Sequence, residues 1–189
     1  MKILISMTGA TGAIYGIRLL QVLQKTEYKT SLIISSWAKK TIETETSFSL
    51  DEVISMADEV YDENDLAAAV SSGSYQTDAV IVAPCTMKTL AGIASGYSDD
   101  LIVRCADVAL KERKPLILLT RETPLSLIHL RNMTTVTEAG GIILPPMPAF
   151  YHRPKTIDDI INQTVGKILD LLNIPHDLFQ RWEGEQLGD

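Results

Sequence analysis

Cysteine and histidine are scarce in this chain of 189 residues. Cys85 and Cys105 have neither metal-site nor redox spacing, and His129, His152 and His176 are too scattered to form a ligand set. Positive charge is in deficit as well. Seventeen basic against 24 acidic residues leave a net charge of −7, which argues against nucleic acid as the main partner, because phosphate backbones select basic surfaces. No apolar run approaches the roughly 20 residues that a membrane span requires. The five mostly apolar residues after Met1-Lys2 are too few for a secretory segment. Repeats, low-complexity tracts and linkers are also missing. These absences predict one metal-independent, cytoplasmic domain over residues 1–189, with no membrane and no nucleic-acid partner. Apolar content of 46% with 22% charged residues is ordinary for such a domain. An anionic ligand must then be held by local cations and N–H groups, not by the overall field.

What is present begins at the N-terminus. Lys2 to Met7 is a short apolar run rich in β-branched residues, which predicts a strand buried on both faces. It stops at Thr8-Gly9, where glycine permits a turn with φ > 0. From Ala13 the period changes, and Ile14, Ile17, Leu20, Val22 and Leu23 fit one broad helical face. Strand, small-residue turn and helix together offer free backbone N–H groups to a phosphate. Gly9, Gly12 and Gly16 are spaced G-x-x-G-x-x-x-G, which differs from the usual dinucleotide fingerprint. The turn therefore either cradles a phosphate-bearing ligand or only eases helix–sheet packing.

Further strands are predicted at Thr30–Ser35, Ala79–Ala83 (closed by Pro84), Leu116–Thr120 and Ile142–Leu144. Helical segments fill Trp37–Ala57, with a capping start at Ser49, and follow Cys85–Thr89. Helices also span Asp100–Lys114 and Leu125–Ala139, and one begins at the Thr156 cap and runs through Leu172. Asp62–Ser74 and the proline-rich stretch 145–154 read as loops. Alternation of buried strands with helices predicts an α/β fold, a doubly wound, mainly parallel sheet of the Rossmann or flavodoxin-like three-layer kind. Ligands of such sheets lie outside the carboxyl ends of the strands. Thr8 to Gly12, Ser35-Ser36, Cys85 to Thr89, Arg121-Glu122 and Tyr151 to Arg153 all fall at such ends. Ser35-Ser36 stands where a nicotinamide dinucleotide site would need an acidic residue, so a mononucleotide is the better fit.

Five motifs then match one family in order: Thr8-Gly9-Ala10-Thr11-Gly12-Ala13, Pro84-Cys85-Thr86-Met87-Lys88-Thr89-Leu90, Ala106-Asp107-Val108-Ala109-Leu110-Lys111-Glu112-Arg113, Arg121-Glu122-Thr123-Pro124-Leu125 and Pro148-Ala149-Phe150-Tyr151. Nearly end to end, the chain resembles the flavin prenyltransferases of the UbiX/Pad1 family. The resemblance implies transfer of a dimethylallyl group from dimethylallyl monophosphate to N5 and C6 of reduced FMN. The prenylated flavin would pass to a UbiD-type decarboxylase. It places FMN on Gly9, Ala10 and Thr11, with Ser35, Thr86, Met87, Lys88, Thr89 and Arg121 around the flavin. Thr11 and Thr86 stand where the family usually has serine, keeping the hydroxyl and adding a methyl, and Leu66 replaces a Trp found in some relatives.

The same resemblance makes Glu122 the acid/base or phosphate-positioning carboxylate. It assigns the substrate phosphate to Arg104, Lys111, Tyr151 and Lys167. Without it, Arg104 and Lys111, seven apart on one helix face, would be a solvated stripe with Asp107–Lys111 as an i,i+4 pair. Lys167 points away from the apolar face formed by Ile161, Val165, Ile168 and Leu172, so it reaches a site only in a homo-oligomer with shared sites; the family implies a dodecamer. The lack of Asp-rich magnesium motifs suits a monophosphate substrate. Two other readings remain, an FMN-binding accessory or carrier subunit and an FMN-dependent cysteine-type decarboxylase, although the latter's early histidine and Asn-rich loop are missing here.

Overall fold

Ile3, Leu4 and Ile5 are each at most 1% exposed, so the first strand is covered on both faces, as a continuous apolar run demands. The computed structural model describes residues 1–182 and 184. The chain divides into two compact units, Met1–Pro146 and Met147–Asp189.

The first unit runs β1 (Lys2–Met7), α1 (Ala13–Leu23), β2 (Lys29–Ile34), α2 (Ser36–Glu45), α3 (Leu50–Ile54), β3 (Glu59–Tyr61), β4 (Ala79–Cys85), α4 (Met87–Ser95), α5 (Leu101–Lys111), β5 (Leu116–Thr120), α6 (Leu127–Glu138) and β6 (Ile142–Ile143). A 3₁₀ turn at Ala69–Ser71 lies between β3 and β4. The six strands form one parallel sheet in the order β3-β2-β1-β4-β5-β6. The doubly wound α/β fold is therefore present, and the strand order reverses between β1 and β4, where such sheets open a crevice. On one face Val80, Val82, Leu116 and Leu118 pack with Leu90 and Ile93 of α4 and Leu101, Cys105 and Ala106 of α5.

Side-chain caps start most helices. Ser35, Thr86, Asp100 and Ser126 each accept a backbone N–H at the start of α2, α4, α5 and α6, and Ser49 forms a capping box with Glu52. These caps trim the expected helices at Asp100 and Leu125 by one and two residues.

Four expectations change. β3 was hidden in the sequence because three half-exposed residues are too few for a period to show. Its pairing with β2 is reinforced by Glu59, whose carboxylate accepts from Ser31 Oγ at 3.1 Å, Tyr61 OH at 2.9 Å and Tyr75 OH at 3.1 Å. β4 continues through Pro84 to Cys85, past a register irregularity between Val82 and Cys85, where a missing N–H is tolerated. The buried face of α1 includes Leu19, while Ile14 and Val22 are half-buried. The left-handed residue of the first turn is Gly12 (φ 99), not Gly9. Gly9 is required for a different reason, since a Cβ there would collide with the Trp37 Cβ.

The second unit contains α7 (Ile157–Leu171), started by a Thr156–Asp159 capping box as its sequence suggests. Ile161, Val165, Ile168 and Leu169 are buried along one side of α7. Asp170 anchors the segment beyond the helix. Its carboxylate receives Arg181 at 2.7 and 3.2 Å and the His176 Nε2 at 3.1 Å. The His176 Nδ1 accepts from the Leu178 N–H, which leaves Nε2 to carry the proton toward Asp170. Arg181 donating into Asp170 holds that carboxyl below its ordinary value.

Candidate functional site

Three loops meet at the carboxyl ends of β1, β2 and β4. Thr8, buried just past β1, donates its hydroxyl to the Pro84 carbonyl at 2.8 Å and accepts the Thr86 N–H at 2.9 Å. The Ser35 N–H reaches the Met7 carbonyl at 3.0 Å. Ser35 Oγ accepts the Ala38 N–H at 3.1 Å, and Thr86 Oγ1 accepts the Thr89 N–H at 3.2 Å. The N-termini of α2 and α4 are thereby fixed on either side of β1, with hydroxyls and the positive ends of both helix dipoles at the crevice.

The cleft they bound has a volume of about 610 Å³. Thr8, Gly9, Ser35, Thr86, Lys88 and Thr89 line it, together with the acidic Glu63, Asp99 and Asp100. Lys88 lies 3.6 Å from Asp100. Gly9 and Trp37 both line the cleft and approach so closely that a Cβ on Gly9 would collide with the Trp37 Cβ. Cleft size, hydroxyls, a lysine and helix N-termini fit a mononucleotide such as FMN, whose phosphate needs N–H and O–H donors.

The structure places Gly9, Ser35, Thr86, Lys88 and Thr89 together along this cleft. Ala10 and Thr11 continue the same turn, with Thr11 exposed. Met87 is the first residue of α4, but its side chain packs against the hydrophobic core. Arg121 follows β5 directly, and its N–H reaches the Cys85 carbonyl at 3.3 Å. Glu122 is exposed, and its Oε1 accepts the Thr123 N–H at 3.1 Å. Arg121 and Glu122 thus stand one strand away from the cleft lining, on the same edge of the sheet.

Arg104 and Lys111 do not line this cleft. Arg104 donates Nε to the Ser71 carbonyl at 3.1 Å and Nη1 to Asp107 at 2.7 Å. Lys111 pairs with Glu112, not with Asp107 as helical spacing suggests, because Asp107 is already held by Arg104 one turn earlier. In the second unit, the Tyr151 ring stands edge-on to His152 at 5.4 Å and to Trp182 at 6.3 Å. Lys167 is exposed there and 3.6 Å from Asp170.

Two carboxylates at the site were not foreseen. Glu45, the last residue of α2, accepts the Gly12 N–H at 2.7 Å and so sits on the glycine turn. Glu63 accepts the Ser36 N–H at 2.6 Å and the Ser36 hydroxyl, occupying the N-terminus of α2. Neither has a local signal, since their partners lie 33 and 27 residues away. Nucleophilic thiol chemistry is disfavoured, because burial drives the Cys85 thiol far up and the Cys105 thiol up to about 12. Among the described residues, no group of three or more His, Cys, Asp or Glu side chains is arranged to hold a metal ion.

A parallel sheet with its crevice at the β1/β4 reversal, and hydroxyl-capped helix N-termini around it, defines a nucleotide-binding protein of the doubly wound α/β class. The chain belongs to the flavoprotein family, whose model matches residues 1–171, and within it to the flavin prenyltransferases of the UbiX/Pad1 type. It is 53% identical over 186 residues to flavin prenyltransferase UbiX of Escherichia coli (strain K12), covering 97% of this chain and 98% of that relative. The crystal structure of AnUbiX (PadA1) in complex with FMN and dimethylallyl pyrophosphate superposes with a TM-score of 0.96 at 52% identity, covering 98% of each chain. The dodecameric FMN-dependent UbiX-like decarboxylase of Escherichia coli O157:H7 gives a TM-score of 0.95 at 50% identity, over 97% of this chain and all of that one.

Proposed function

We propose that this chain is a flavin prenyltransferase that moves a dimethylallyl group from dimethylallyl monophosphate to N5 and C6 of reduced FMN, for use by a UbiD-type decarboxylase. The observation that carries the reading is identity of 53% with a named flavin prenyltransferase over nearly the whole of both chains. A solved relative holding both FMN and an allylic diphosphate supports the pairing of ligands. The monophosphate is preferred for this chain because its sequence has no Asp-rich magnesium motif to neutralise a diphosphate.

Gly9, Ala10, Thr11, Ser35, Thr86, Met87, Lys88, Thr89 and Arg121 hold FMN in this proposal. Support comes from Gly9, the two hydroxyl caps and the lysine that line the cleft. When bound, reduced FMN supplies the electron-rich N5 and C6 to which the five-carbon unit becomes attached. Arg104, Lys111, Tyr151 and Lys167 balance the charge that gathers on the phosphate as its bond to carbon breaks. Glu122, with Oε1 on the Thr123 N–H, keeps Oε2 to position the phosphate or carry a proton.

Because Arg104 and Lys111 do not line the chain's own cleft and Lys167 is exposed, the active unit is a homo-oligomer with shared sites, a dodecamer as in the O157:H7 structure. One flavoprotein domain spanning the chain is part of the same proposal. A cytoplasmic location belongs to it too, since a reduced flavin acceptor persists best in a reducing compartment. The name of the O157:H7 structure raises a second reading, decarboxylation. Anaerobic incubation with reduced FMN and dimethylallyl phosphate, followed by mass analysis of the bound flavin, separates the two. A flavin heavier by one five-carbon unit supports prenyl transfer, whereas unmodified flavin with carbon dioxide release from an added aromatic acid overturns it.

A further inference from the structure

Among the described residues, polar side chains line almost all of the cleft at the carboxyl ends of β1, β2 and β4. Hydroxyls, an amide, a lysine and carboxylates suit a phosphate and a polyol chain, but they offer no flat apolar surface to a fused aromatic ring. Two lining residues besides Gly9 are apolar. Ile102 is only 1% exposed and belongs to the core. Trp37, in the first turn of α2, is 73% exposed.

The indole is free while its base is fixed. Ala38 and Ile42, four apart, form the buried face of α2, and Trp37 lies off that face. Its Cβ comes so near the Gly9 backbone that a side chain at Gly9 would collide with it. Ser35 Oγ caps the helix through the Ala38 N–H at 3.1 Å, and the Thr41 hydroxyl donates to the Trp37 carbonyl at 3.0 Å. Glu63 clamps the preceding residue by accepting the Ser36 N–H at 2.6 Å, and its own carbonyl accepts the Leu101 N–H of α5 at 2.8 Å. The indole itself has neither a hydrogen bond nor a ring contact among the described residues. A large apolar group left in water forgoes the free energy of burial. Held at the wall of a nucleotide cleft, it is pre-organised for a flat aromatic ligand, because only two side-chain torsions are left to order.

We propose that Trp37 is the stacking wall of the flavin site, its indole covering one face of the isoalloxazine ring while the polar lining serves the phosphate and the ribityl chain. This role rests on FMN as the ligand of the cleft, not on prenyl transfer.

Titration of the full chain, stripped of flavin, with oxidised FMN and detection of flavin emission tests this. An indole in contact with the ring quenches that emission, whereas a phenyl ring stacks without quenching. The parent should therefore bind FMN in a dark state. Trp37→Phe should bind within about threefold of the parent but in an emissive state, and Trp37→Ala should bind roughly ten- to a hundredfold more weakly. Both variants keep the Cβ that meets Gly9, so their melting temperatures should match the parent's. Emissive FMN in the parent, dark FMN in Trp37→Phe, or parental affinity in Trp37→Ala overturns the wall. Parental affinity combined with a changed oligomeric state in Trp37→Ala assigns the indole to a subunit contact instead. If the variants behave as expected while even the parent makes no prenylated flavin, the wall stands and the prenyl-transfer reading fails. A parent that binds no FMN overturns the wall together with the cofactor.

Discussion

Replacing Lys167 by alanine separates a stabilising role from a ligand-binding one, because the structure makes the first small. The ammonium is exposed and lies 3.6 Å from Asp170, one turn along α7. An exposed i,i+3 ion pair is worth about 0.3–0.5 kcal/mol. Asp170 also keeps Arg181 at 2.7 Å and His176 at 3.1 Å, so the variant leaves no carboxylate stranded. The expected fall in melting temperature is about 1–2 °C for a protein of this size. A charged contact to a substrate phosphate is worth about 1.5–3 kcal/mol, or roughly ten- to a hundredfold in affinity. Thermal melting, flavin content and KM for dimethylallyl phosphate are the three readouts. The first two should stay nearly constant while KM rises. An unaltered KM refutes the role given to Lys167, and full activity from a monomer refutes shared sites. Mixing Lys167→Ala subunits with Glu122→Gln subunits should partly restore activity, because some mixed interfaces regain both residues.

Three further outcomes follow from particular contacts. Gly9→Val should give folded protein with little FMN, because the new Cβ and its methyls enter the space of Trp37 in the cleft lining; unchanged flavin absorbance refutes the placement. Glu122→Gln should retain FMN and slow formation of prenylated flavin, since an amide accepts a hydrogen bond but does not exchange a proton usefully; parental turnover removes Glu122 from the chemistry. Asp170→Asn should melt lower at pH 7 and lose less stability in acid. The folded Asp170 carboxyl titrates below its unfolded value of about 4, so its contribution is complete above that pH and disappears as the pH falls through the lowered value. Parallel melting curves for parent and variant from pH 7 to pH 2 contradict that assignment.

Most of the sheet was legible because β1, β2, β4 and β5 are apolar runs bounded by caps and glycines that act locally. Ser49 and Thr156 announce their helices through the acidic residue three positions on, and both capping boxes form. β3 carries no such signal, since Glu59-Val60-Tyr61 becomes a strand through pairing with β2 and hydroxyl donors from Ser31 and Tyr75. At the cleft, Ser35 and Thr86 could be read as lining residues because each follows a strand end. Glu45 and Glu63 could not, because each reaches its helix N-terminus only after the chain has folded back. Gly9 shows the limit of residue-type reasoning. Glycine was rightly expected there, but the cause is the closeness of Trp37 and not a left-handed backbone. Arg104 illustrates competition within one helix, as Asp107 at i+3 captures it and leaves Lys111 to Glu112.

Prenyl transfer consumes one allylic phosphate for each flavin prenylated. An anaerobic single-turnover reaction with limiting reduced FMN and excess dimethylallyl phosphate, monitored for orthophosphate and for flavin mass together, measures it directly. Equimolar release of orthophosphate and loss of unmodified FMN, with neither occurring when the other reactant is omitted, is the expected result. Orthophosphate released without FMN, or flavin left unmodified while the ester is consumed, contradicts prenyl transfer.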